Sequence, residues 1–207
     1  MRDIIELSPH VLPWAANCPE PTMIHFLRQA AITFCQRSRS WRSEEVYKLT
    51  SADEEIALVT CDDSVLFEIE SVCWRATGDS EWQRPIDSTA FSDRDDWWRD
   101  GNPRYYTQRV PGWLRVAPFG KGELRVIAYL KPDQRAETLP DYLIELYPEI
   151  IAAGALAKIL MLPGKDFTDP QQAMLKQSEF DAACDQHFRD NLRGQQRART
   201  RTKPNYF

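Results

Sequence analysis

The hydrophobic period changes twice along this chain, and that change limits the fold more than any single motif does. Ile24, Leu27, Ala31, Phe34, Ser38 and Trp41 recur at spacings of three and four, as on one helix face. From about Ile56 to Lys131 the spacing falls to two. Val65, Phe67 and Ile69 alternate with Leu66, Glu68 and Glu70, and Leu124, Val126, Ala128 and Leu130 alternate with Arg125, Ile127 and Tyr129. After Leu139 helical spacing returns. Helices with stripes to bury on both sides of a strand-rich stretch predict an α+β fold: a helical bundle of three main helices interrupted by an antiparallel β insert, with an extended basic C-terminal tail. The expected division is 1–50 for the N-terminal loop and first bundle helix, 51–138 for the β-rich insert, 139–194 for the C-terminal bundle helices and 195–207 for the tail.

Local signals refine this outline. Cys18-Pro19-Glu20-Pro21-Thr22 is a loop that opens the first helix, and its prolines stand only at the entrance. His25, Arg28, Gln29, Gln36 and Arg37 lie off the apolar stripe, which places His25 on the surface; neither His10 nor His187 stands at ligand spacing from it. Trp113–Ala117 and Leu124–Leu130 flank Pro118-Phe119-Gly120-Lys121-Gly122, a turn that predicts an antiparallel hairpin. Asp87 to Pro111 is expected as a long loop with a short strand at Tyr105–Arg109. Leu139-Pro140-Asp141 opens a second helix expected to run through Leu162, with Gly164 as its left-handed stop. Within it, Ala152, Ala153, Gly154, Ala155 and Ala157 would let another helix approach closely. A third helix starts at Asp169, a capping residue, with Pro170 in the first turn and Gln172 at the capping-box position. Phe180, Cys184, Phe188 and Leu192 then form its apolar stripe.

At 207 residues, with 43% hydrophobic and 28% charged side chains, the chain has an ordinary globular composition, which excludes wholesale disorder, a collagen-like fibre and a disulfide-stapled miniprotein. The longest apolar run, Ile150 to Leu162, contains Lys158 and falls short of the ~20 residues that cross a bilayer, so no membrane partner is expected. The first residues show no signal-peptide pattern, and synthesis into the cytoplasm is the expectation. Cys18, Cys35, Cys61, Cys73 and Cys184 form no C-x-x-C pair, which predicts buried or idle thiols rather than zinc ligands or a disulfide framework.

Charge is unevenly placed. Residues 44–149 hold twelve basic against twenty-two acidic side chains, while residues 150–207 hold nine against six. No acid follows Asp190, yet Arg193, Arg197, Arg199, Arg201 and Lys203 lie there among polar residues, ahead of Tyr206 and Phe207. Such a tail is either a solvated terminus or a docking arm, and the two aromatics, a type enriched at binding hot spots, speak for the arm.

Signatures of catalysis are lacking. The chain has no G-x-S-x-G, no P-loop, no G-x-G-x-x-G and only three histidines, so neither a catalytic residue nor a cofactor is expected. One cluster has metal-binding chemistry: Asp93, Asp95, Asp96 and Asp100 surround Trp97 and Trp98, and hard cations prefer carboxylate oxygens. Two readings stay open for it, a metal-dependent nuclease or DNA-processing site built on Asp93, Asp95 and Asp96, or an acidic loop that is solvated or faces another subunit. Trp97 and Trp98 serve equally as sheet-packing aromatics or as a binding platform. A further possibility is that the basic tail makes the chain a nucleic-acid binder whose affinity falls steeply with salt.

Several pieces, taken in order, carry a resemblance. They are Leu12-Pro13-Trp14 with Cys18-Pro19-Glu20-Pro21, Leu27-Arg28-Gln29-Ala30-Ala31 with Phe34-Cys35, and Ser40-Trp41. They continue with Trp97-Trp98, Gly101-Asn102-Pro103-Arg104-Tyr105-Tyr106 and Leu130-Lys131-Pro132, then Leu139-Pro140, the run Ile151 to Ala157, and Leu162-Pro163-Gly164-Lys165. In this the chain resembles the head-to-tail connector, or adaptor, proteins of tailed bacteriophages, over most of its length. The resemblance implies a structural virion protein of the neck, made in the host bacterial cytoplasm and assembling as a homo-oligomeric ring of about twelve copies beneath the portal protein. Helices would surround a channel through which DNA passes without tight binding, and the β insert would face tail or nozzle proteins. Arg193, Arg197, Arg199, Arg201, Lys203, Tyr206 and Phe207 would then contact the portal. Asp93, Asp95, Asp96, Trp97 and Trp98 would form a tail-side or inter-subunit loop. The acidic middle of the chain agrees with a conduit, because neutralising DNA phosphates would make the passing duplex stick.

Overall fold

A computed structural model describes residues 1–50, 55–58, 60–83, 86–88 and 100–193, with the side chains of 192 and 193 excepted. The chain begins with β1 (Arg2–Asp3), a 3-10 turn (Ile4–Leu7), α1 (Ser8–Val11) and α2 (Glu20–Ser38). Next come β2 (Arg42–Leu49), β3 (Ile56–Ala57), β4 (Ser64–Ala76), β5 (Asp87–Ser88), β6 (Tyr105–Thr107), β7 (Trp113–Ala117) and β8 (Gly122–Pro132). It ends with β9 (Thr138–Leu139), α3 (Asp141–Leu146), α4 (Pro148–Ile159) and α5 (Pro170–Arg193). The architecture is α+β, with helices and largely antiparallel sheets. It divides into two compact units: Met1–Ser40 with the chain from Pro132 onward, and Trp41–Lys131.

In the helical unit, α2 buries Leu27, Ala31, Phe34 and Ser38, the expected stripe, and leaves His25 exposed. It stops before Trp41, which the stripe had included. Arg39 takes a left-handed backbone (φ 53°) and its N–H donates to Cys35 O at 3.0 Å, ending the helix without a glycine. The second expected helix is also two. Pro148 has no N–H and disfavours helical geometry in the residue before it, so Tyr147 (φ −128°, ψ 28°) closes α3 and opens α4. Residues 2–11, where the sequence shows no regular pattern, are ordered by partners remote in the chain: β1 pairs with β9 in antiparallel register, Arg2 with Leu139 and Asp3 with Thr138.

Helix α4 is buried from Ile151 to Ala157 on every side. It packs against α1, α2 and α5, and α2 also meets α5. The small residues allow the close approach expected of them: a Cβ on Gly154 would stand 2.7 Å from Phe180 Cε2, so the Phe180 ring of α5 lies directly on the glycine. Helix α4 ends at Ile159, capped by Leu160, and not at the expected Leu162, so Gly164, left-handed as expected (φ 69°), stands in the connection that follows and does not stop the helix. Asp169 caps α5, its Oδ1 accepting from the N–H groups of Gln171 (3.1 Å) and Gln172 (3.0 Å).

The sheet unit holds one three-stranded sheet, in the order β2-β8-β4, and one four-stranded sheet, β3-β7-β6-β5. Strand β8 alternates buried and half-buried residues along its length, as expected, and pairs with all of β2, from Arg42 opposite Tyr129 to Leu49 opposite Gly122. The expected β7–β8 hairpin does not form, because the two strands belong to different sheets. Both edges of β8 are taken by β2 and β4, while β7 pairs with β6 and β3. The turn's backbone is engaged elsewhere too: Phe119 O accepts from Gly101 N–H at 2.7 Å. Gly122 has no room for a side chain, since a Cβ there would lie 2.1 Å from Arg75 O. Leu114, Val116, Phe119, Leu124, Val126, Val72 and Trp74 form the core of this unit. On β4 the even positions Leu66, Val72 and Trp74 face that core, together with Ile69, whereas Phe67 is exposed.

Substituting Gly154→Val drives two methyl groups into the Phe180 ring and is expected to lower the unfolding free energy by about 1–3 kcal/mol. In urea titrations, Gly154→Val combined with Phe180→Leu should lose less than the sum of the two single changes, since the smaller side chain makes room for the larger one.

Candidate functional site

The residues singled out from the sequence fall on two segments, and the structure describes how each is held rather than the segments themselves. Asp93, Asp95, Asp96, Trp97 and Trp98 lie outside the described residues. So do Arg197, Arg199, Arg201, Lys203, Tyr206 and Phe207, and Arg193 is described only as the backbone end of α5.

The end of α5 is fastened to the end of α2 by groups that the sequence reading did not single out for this role. Arg37 donates to the carboxylate of Asp181 and, at 2.9 Å, to Asp185, one helical turn further on. Asn191 Nδ2 donates to Ser38 O at 2.6 Å and to Ser40 Oγ at 3.2 Å, satisfying a carbonyl that the end of α2 leaves open. The guanidinium carbon of Arg39 stands 5.1 Å from the Phe188 ring centroid. Phe34, Tyr147 and His187 meet as three rings with centroids 4.9 to 6.0 Å apart, tying α2, the α3–α4 junction and α5 together. The signal that could have revealed the clamp is the pair Asp181 and Asp185, spaced to share a helix face opposite a cation.

Hydrogen bonds from Gln177 and then from Arg37 hold the Asp181 carboxyl below its ordinary range. Beneath this clamp Cys184 and Cys35 face the α2–α5 contact. Burial pushes the Cys184 thiol up to about 11 and raises Cys35 further, so both stay protonated and unreactive. Cys18 and Cys73 are buried as well, while Cys61 is exposed, unlike the other four.

The chain enters the acidic segment from the four-stranded sheet and leaves it beside the turn that follows β7. Ser88, before it, pairs in parallel with Tyr106, and Asp100, after it, bridges to Phe119. Beside this second anchor Trp74, Gly101, Asn102, Gly120 and Lys121 line an open cleft of about 390 Å³. Among the described residues no three His, Cys, Asp or Glu side chains are grouped so as to hold a metal ion.

Exposed apolar side chains occur on both units. Leu12, Trp14, Leu146, Met161, Met174 and Leu175 project from the helical unit, and Val46, Phe67, Val110 and Trp113 from the sheet unit. No helix among the described residues is long and apolar enough to cross a membrane. The family model described as SU10 adaptor protein matches residues 2–205. No curated protein matches the chain.

The clamp sets a pH dependence. Because its folded-state pKa is depressed, ionised Asp181 adds stability above the ordinary carboxylate range and gives it up as pH falls through the lowered value. Arg37→Ala is expected to cost about 0.2–1 kcal/mol at pH 7, as for an exposed pair, and urea titrations should show that difference shrinking below about pH 4.

Proposed function

The chain belongs to the SU10 adaptor protein family, and from that premise we propose that it is a non-enzymatic, structural neck protein of a tailed-phage virion, a ring-forming adaptor between portal and tail. The observation that carries this reading is the extent of the family match, from residue 2 to residue 205, which takes in both units and the basic tail up to Asn205. In the ring, α2, α4 and α5 form the bundle that surrounds the DNA channel, and the sheet unit turns toward the tail proteins. The basic tail from Arg193 to Phe207 docks on the portal.

Three further features support the reading. A ring needs a heterologous contact, in which one surface of each copy fits a different surface of the next. The exposed Leu12, Trp14, Met161, Met174 and Leu175 give the helical unit apolar surface beyond its own core. The tail departs from a helix end that is itself pinned, so an arm that orders on binding works from a fixed origin. The charge of residues 44–149, twelve basic against twenty-two acidic and carried mostly by the sheet unit, would keep DNA from sticking at an acidic rim beyond the helical channel. Asp93, Asp95, Asp96, Trp97 and Trp98 serve as a tail-side or inter-subunit loop.

Electron microscopy of the chain mixed with portal protein tests this. The full chain is expected to form rings on the portal. A chain lacking Arg193 to Phe207 should keep its circular-dichroism melting curve yet leave portals bare, and undiminished rings from the shortened chain would remove the tail from the docking role.

A further inference from the structure

Between α1, α4 and α5 the helical unit carries a groove of about 330 Å³. Its floor is made by Ala152, Ala153 and Leu156, and one wall by Pro13 and Trp14. Trp14 remains 46% exposed, and Lys176 Nζ stands 4.7 Å from its ring centroid. Lys176 is also paired with Glu179 at 2.8 Å, so its charge is already answered within the groove's other wall. Glu149 and Glu179 place two carboxylates at the rim, and His10 lies at the same edge. The alanines leave space for an inserted ring, the exposed edge of Trp14 offers it an aromatic neighbour, and Glu149, the rim carboxylate not engaged by Lys176, favours a cationic neighbour.

One segment of the chain has that composition and can reach. Residues 194–207 hold Arg197, Arg199, Arg201 and Lys203, no acid, and the aromatic pair Tyr206-Phe207. From Arg193 back to Lys176 along α5 is roughly 25 Å at ~1.5 Å per residue. Thirteen extended residues from 194 to 206 span up to ~43 Å. Asp190 lies on the way back, adding a third carboxylate for a basic strand to pass.

We infer that, in the isolated protein, residues 194–207 fold back in cis along α5, with Tyr206 or Phe207 seated in the groove against Trp14, Ala153 and Lys176 and the basic residues passing Asp190 and Glu149. A tether of this length holds the ring at roughly millimolar effective concentration, so a groove too shallow for a free peptide is filled by its own chain. The tail is then parked until a stronger site takes it, which restricts spontaneous binding before assembly.

The test uses the full chain with Cys61→Ser and a nitroxide attached at Asn205→Cys, observed by nuclear magnetic resonance without any portal protein. Line broadening of backbone amides is expected to concentrate on Trp14, Ala153 and Lys176, to persist on about tenfold dilution as an intramolecular contact must, and to be lost in the Glu149→Lys, Glu179→Lys double variant. Broadening confined to the last turns of α5, or spread evenly over the surface, overturns the inference. Broadening at the groove that fades on dilution also overturns it, because it assigns the groove to the tail of a second copy. Since portal is absent, failure here is separable from failure of the adaptor reading, which the microscopy of rings decides.

Discussion

A helix without a polar face cannot lie at a surface, and α4 imposes that constraint on everything around it. Ile151 through Ala157 are all buried, so α1, α2 and α5 must enclose the helix together. Its walls come from distant parts of the chain, because α2 precedes the sheet unit and α5 follows it. Closing so long an intervening segment carries an entropic cost that grows only slowly with length. The cost is met inside the sheet unit, where Leu130 N–H donates to Trp41 O at 2.7 Å and Arg42 pairs with Tyr129. That pairing brings the two ends of the insert side by side, as an inserted unit requires.

What could be read from the sequence divides along the same line between local and remote causes. The Asp169 cap, the left-handed Gly164 and the close approach at Gly154 each depend on a few neighbouring residues, and each is found in the structure. The break at Tyr147-Pro148 is equally local, set by a proline that lacks an N–H and disfavours helical geometry in the residue before it. Partner choice among strands was not legible. A proline and glycine turn between two strands favours a hairpin, but β2 and β4 occupy both edges of β8, and no signal near residues 118–122 reports that. The same holds for β1, whose partner β9 lies at the other end of the sheet insert. Arg39 ends α2 in a conformation usually left to glycine, with its guanidinium over Phe188.

For the candidate site, residue chemistry was legible and its mechanical support was not. Runs of like charge announce the tail and the acidic loop in the sequence, whereas the clamp of Arg37, Asp181, Asp185 and Asn191 is assembled from two helices nearly 150 positions apart. Exposed pairs of this kind add little stability. Their effect is positional: they fix the last turns of α5 against Ser38 and Ser40.

The two charged segments are therefore held by different means, and the difference matters for a protein that joins partners. The chain is fixed where it enters the acidic segment, at Ser88 on β5, and where it leaves it, at Asp100 opposite Phe119. The basic tail departs from a single held point, the end of α5 that Asn191 fastens to Ser38 and Ser40. A link fastened at both ends suits a contact whose geometry is set in advance, while one fastened once suits a contact made late. On the adaptor reading proposed above, the contact made late is the tail's, and α5 presents that tail from the helical unit, at the end that Asn191 and Arg37 hold in place.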